Sequence, residues 1–116
     1  MMPSSRTKRR FHAELDLLQA RLMEMSGMAE DLVARAVEAF LTRDPAARDA
    51  IRADDRAIDS LEIEIDEQAL ELIALHQPVA MDLRQILTTL KICNDIERVG
   101  DHAVNIAKAA RRAARL

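Results

Sequence analysis

Two pairs of acidic residues in this chain share one spacing. Asp55 and Asp59 stand four apart in DDRAID, and Glu97 and Asp101 stand four apart in ERVGD. On a helix, residues four apart project from the same side, one turn from each other. Two unpaired carboxylates so placed repel, and burial adds a desolvation cost. A cation, an arginine or a bound proton must compensate. Four gathered carboxylates form an all-oxygen set of the kind that holds magnesium, calcium, manganese or ferric iron. The competing reading is that the acids pair with Arg56, Arg84 and Arg98 in salt bridges, and the spacing leaves both open.

For the pairs to meet, two long helices must lie side by side, and the composition favours such elements. Only two glycines and three prolines interrupt 116 residues, and aromatics are 2% of the chain. Such a chain has few places to turn and builds its core from aliphatic stripes. The first helix is expected over residues 10–41, its seam running through Phe11, Leu15, Leu18, Leu22, Met25, Ala29, Leu32, Ala36 and Ala39 at alternating steps of four and three. TRDPAA breaks it, with Asp44 as N-cap and Pro45 at the first helical position of a second helix over residues 45–75. The stripe of that helix is Ile51, Ile58, Leu61, Ile65, Leu72 and Leu75. Ile63, Leu70 and Ile73 give it a second apolar side.

HQPVAMD is the next break, since Pro78 disfavours the α region at Gln77. A third helix is expected over residues 79–114. One stripe follows Val79, Leu83, Ile86, Leu90 and Cys93 and continues into Glu97, Asp101 and Val104, with Asn94 and Asn105 on its polar flank. A second follows Ile96, Val99, Ala103 and Ile106. Short connections make neighbours antiparallel, so the expected fold is an all-α, up-down-up three-helix bundle. It would occupy residues 10–116 behind a basic, flexible arm at residues 1–9. Asp59 lies about 18 residues before the second turn and Glu97 about 20 after it, levels that agree within about 3 Å.

Net charge is −3, but it is segregated. The arm SSRTKRR and the end KAARRAARL are basic, whereas residues 44–71 carry ten acids against three arginines. Terminal basic segments without stacking aromatics argue against nucleic acid. No apolar run reaches membrane-spanning length and none resembles a secretory signal. Membrane contact is therefore expected to be peripheral at most, in a cytoplasmic protein. One cysteine, Cys93, allows neither an intrachain disulfide nor a cysteine-based zinc site. Di-metal enzymes on helical bundles use Glu-x-x-His pairs. None is present here, nor is any nucleophile–base constellation, so an enzyme is not expected.

DIERVGDHAVNIAK resembles the signature of the PhoU family of phosphate-transport regulators. QPVAMDLRQILTTLKICNDIERVGD is similar to that family's central stretch. IRADDRAIDSLEIEID is similar to its other acidic segment, and FHAELDLLQARLMEMSGMAEDLV to its opening helix. The resemblance implies an accessory of a phosphate ABC transporter that acts with a membrane sensor histidine kinase to silence phosphate-starvation genes. It implies metal ligands at Asp55, Asp59, Glu97 and Asp101, with Glu62 and Asn105 as helpers and a role of unassigned kind for Arg84. Iron is the family's usual ion; magnesium, calcium, manganese and zinc are also candidates. Family members usually carry two bundles. This chain resembles the N-terminal one, which leads to the expectation of a homodimer that covers Ile63, Leu70 and Ile73. The alternative is a structural interaction or dimerisation module whose acids form salt bridges.

Overall fold

The computed structural model describes residues 5–116. Three helices, α1 (Ser5–Thr42), α2 (Ala47–His76) and α3 (Ala80–Ala114), pack up-down-up into a rod of 67 × 18 × 17 Å. Each helix touches the other two. The all-α three-helix bundle expected from periodicity is therefore the observed fold.

The α1 seam follows the expected spacing, with Phe11, Leu15, Leu18, Met25, Ala29, Leu32, Ala36 and Ala39 buried and Leu22 packed at its edge. The helix also begins earlier than expected. Residues 1–4 of the basic arm lie outside the described residues, while Ser5–Arg9 continue α1. No glycine or proline separates them from Phe11, and arginine and lysine are good helix formers. His12 Nδ1 on the Lys8 carbonyl at 2.9 Å and Arg10 on Glu14 at 3.1 Å secure the first turns.

Between α1 and α2, Arg43 takes the left-handed conformation (φ 55°). The Asp44 N–H donates to the Ala39 carbonyl and the Arg43 N–H to the Phe40 carbonyl, the pair of bonds that closes a Schellman motif. Asp44 Oδ1 then accepts the Ala46 N–H at 2.9 Å. Asp44 thus shapes the turn, but it is not the N-cap: that position is Ala46, without a side-chain cap, and regular α2 geometry starts at Ala47, not at Pro45. At the second turn Gln77 is left-handed (φ 44°) and Val79 extended. Ala80 also has positive φ, so α3 begins beyond Pro78 and Val79.

Polar contacts fix how α1 meets α2. Arg35 donates to Asp54 at 2.7 Å and Arg21 to Gln68 at 2.8 Å. At the second-turn end, His76 is nearly buried, edge-on to Phe11, with its Nε2 3.2 Å from Glu14. These contacts accompany the burial of Ile51, Ile58, Ile65 and Leu72, which sets the rotation of α2 and hence which of its acids turns toward α3.

Candidate metal centre

The buried line of α2 runs Ile51, Asp55, Ile58, Leu61, Ile65, Ala69 and Leu72, with half-buried Glu62 beside Leu61. Asp55 therefore occupies a core position, with only 8% of its surface exposed. Its chain neighbour Asp54 is turned to the opposite side by Arg35 of α1. Two adjacent acids so receive different surroundings, because one residue rotates a helix by about 100°.

On α3 the buried line repeats every seven residues through Ile86, Cys93, Gly100 and Ala107, and a second runs through Thr89, half-buried Ile96, Ala103 and Ala110. Gly100, not Asp101, lies in the seam. Asp101 stands one residue beyond it and is exposed, as is Asp59 across the groove, while Glu97 is half-buried. Oxygen atoms of Asp55, Asp59 and Asp101 all lie within 4.8 Å of one another. Asp55 Oδ1 and Glu62 Oε2 are buried and have no hydrogen-bond partner.

The charges oppose one another. Burial, then the Asp59 and Asp101 charges, pushes the Asp55 carboxyl up to about 6. Burial, then Asp101, Glu62 and Asp59, pushes Glu97 up to about 7. Shielding from water, then Asp101, raises Asp59, and shielding, then Asp66, Asp59 and Asp101, raises Glu62. The Cys93 thiol donates to Met25 Sδ at 3.5 Å and is pushed up to about 11 by burial and the surrounding carboxylates. It stays a protonated core group, so the donors available here are hard oxygens.

None of the ion pairs among the described residues joins Arg56, Arg84 or Arg98 to these acids. Arg84 precedes Glu97 by thirteen residues, about 20 Å along the helix. Arg98 is exposed, one residue round from Glu97. Among the described residues, no ion pair or hydrogen bond joins either arginine to the cluster. Asn105 is also exposed and makes no hydrogen bond to it among the described residues. Glu62 lies beside the cluster, and Glu97 is electrically linked to it but outside the three-oxygen group. The spacing does not single out Gly100; the only signal is a glycine inside a long helical pattern.

Three carboxylates without a counter-ion, one holding a buried unpartnered oxygen, suit a hard cation that would satisfy all of them at once. Among the described residues, no helix is long and apolar enough to cross a membrane.

Residues 22–110 match the family described as PhoU domain. A phosphate-specific transport system accessory protein PhoU homolog of Clostridium acetobutylicum is 43% identical over 107 residues, covering 91% of this chain and 49% of the relative. A homologue of the same description from Rhizobium meliloti is 43% identical over 98 residues, covering 84% of this chain and 41% of the relative. The crystal structure of PhoU from Pseudomonas aeruginosa superposes with a TM-score of 0.87 at 35% identity, covering 90% of this chain and 50% of that one. The chain thus spans about half the length of the relatives it matches.

Proposed function

The chain belongs to the PhoU family, and on that premise we propose that it is a cytoplasmic regulatory accessory of phosphate uptake whose α2–α3 groove holds a metal ion. It restrains phosphate transport and phosphate-starvation signalling by docking on a phosphate ABC transporter and a sensor histidine kinase. It does so without catalysis of its own. The relatives named as accessory proteins of the phosphate-specific transport system support the setting.

The buried, unpartnered Oδ1 of Asp55 carries the metal reading. A carboxylate oxygen removed from water with no donor is costly, and a cation shared with Asp59 and Asp101 removes that cost. Glu97 and Glu62 complete the sphere or bind its water. Iron, manganese, magnesium, calcium and zinc all accept carboxylate oxygen; the protein's part is to supply the negative charge and exclude a competing arginine. Elemental analysis of chelator-free protein is expected to find stoichiometric metal that falls away in Asp59→Ala and in Glu97→Ala. Metal-free wild type, with both variants unchanged in stability, would favour the structural-module reading.

We further propose a homodimer. On α2, Ile63 and Leu70 are 57% and 63% exposed and stand on one side, and Leu87 of α3 is 52% exposed at the level of Leu70. Ile73, by contrast, packs partly into the bundle's own core. A second bundle laid on this face would restore the length of the relatives. Light scattering coupled to size exclusion should return twice the chain mass, and Ile63→Glu with Leu70→Glu should return one. A wild-type monomer insensitive to dilution excludes the dimer.

A further inference from the structure

Gly100 and Gly27 are both interior to helices, and neither has positive φ. The backbone therefore asks for glycine at neither position, although glycine is the poorest helix former after proline. Their surroundings differ. A Cβ on Gly27 would meet nothing within 4 Å. A Cβ on Gly100 would overlap Asp55 Oδ1, while the next atoms, Ile58 Cδ1 and Asp55 Cγ, lie at ordinary contact distances of 3.5 and 3.6 Å. The conflict is with a single atom, and it is the buried oxygen that has no hydrogen-bond partner.

Gly100 shares its heptad line with Ile86, Cys93 and Ala107, all fully buried. Every other residue on that line presents at least a Cβ to the seam. At Gly100 the space is taken by the Asp55 carboxylate, which enters from α2 beside Asp101. Asp55 is otherwise flanked on its own helix by Ile51 and Ile58. Its polar neighbours are Asp59, one turn along, and Asp101 of α3, and the oxygen that lies over Gly100 is the buried one.

We propose that Gly100 is a positioning residue of the metal site: the missing side chain admits the Asp55 carboxylate to the α2–α3 seam and turns two exposed acids into a three-ligand set. The inference rests on the metal reading given above. A methyl group at 100 must drive the carboxylate out of the seam. That leaves Asp59 and Asp101 without their shielded partner and with a weaker hold on a cation. The bundle itself should tolerate the methyl, since alanine is the better helix former and the displaced carboxylate regains water. Metal affinity and metal-free stability thus move in opposite directions, whereas a glycine needed only for helix packing would lower both.

The test titrates Mn²⁺ calorimetrically into chelator-treated full chain carrying Gly100→Ala, Asp55→Ala, both or neither. Gly100→Ala is expected to weaken Mn²⁺ binding by about tenfold or more, the scale seen when groups that orient metal ligands are lost. It should add nothing further in the Asp55→Ala background, because both changes remove the same interaction. Without metal, the thermal midpoint of Gly100→Ala should equal or exceed that of wild type. If Gly100→Ala folds poorly, recovery in the double variant still shows that Asp55 is the group in conflict; failure to recover overturns the inference. A wild type that takes up neither Mn²⁺ nor Fe²⁺ overturns the metal reading and this inference together. Tight binding by wild type and equal binding by Gly100→Ala overturns the inference alone.

Discussion

Stripped of metal, the protein is expected to lose stability as pH rises from about 4 to about 7.5, and to regain it when metal is added. The sign follows from the acids of the α2–α3 groove. The Asp55 carboxyl is raised from 3.8 to about 6 in the folded chain and Glu97 from 4.5 to about 7. Between those values the folded state holds protons that the unfolded state has released. The contribution is complete below the unfolded values and disappears as pH climbs through about 6 and then about 7. A tenfold change in proton affinity is worth about 1.4 kcal/mol, so Asp55 alone accounts for about 2 to 3 kcal/mol. Metal reverses the slope, because the ligands must be ionised to bind it and its affinity rises with pH. At a free concentration one hundred times the Kd, the ion stabilises by about 2.7 kcal/mol. Thermal melts followed by circular dichroism should show the gap between loaded and stripped protein widening from about pH 5 to about pH 7.5. Stripped protein with a flat or rising midpoint across that range would show that the carboxylates find another compensation.

Ile58→Ala is expected to destabilise the bundle by about 3 to 4 kcal/mol, toward the upper part of the range for such truncations. Ile58 is fully buried, and its Cδ1 lies next to Gly100. The cost of a cavity depends on how far neighbours can collapse into it. Here α3 offers a residue with no side chain, and of the two adjacent α2 core groups, Leu61 and Asp55, one is a carboxylate that cannot fill an apolar hole. The rod is only 18 × 17 Å across, so no second layer of core stands behind the gap. For a domain whose whole stability is about 5 to 15 kcal/mol, this loss should be plain in urea unfolding as a lower midpoint with an unchanged slope. A loss below about 1 kcal/mol would mean that the seam repacks more freely than its geometry indicates.

The bundle is legible in the sequence because each long stripe gives the same answer many times. Every position of the expected α1 seam is buried or packed at its edge. The turns are legible from Asp44 and Pro78, since a turn-forming side-chain bond and the restriction before proline act within a few residues. The errors lie at ends and azimuths. α1 runs back to Ser5 because no glycine or proline between Ser5 and Phe11 opposes a helix. Leu75 and Val79, assigned to the core by spacing, are exposed where the bundle ends.

The sequence by itself determined which residue types are present, their four-residue spacing, the helices that carry them and the family to which the chain belongs. All of these are local or cumulative properties of one linear chain. Only the tertiary structure decided that Asp55 is the buried acid, that Asp101 stands outside the seam, and that no ion pair among the described residues joins Arg84 or Arg98 to these carboxylates. Those outcomes depend on the rotation of α2, set by its buried Ile51, Ile58, Ile65 and Leu72 and matched by Arg35, Arg21 and His76 between the helices, and on about 100° per residue separating Gly100 from Asp101. Hydropathy does not register a missing Cβ. The space at Gly100 acquires meaning only when a second helix places a carboxylate in it.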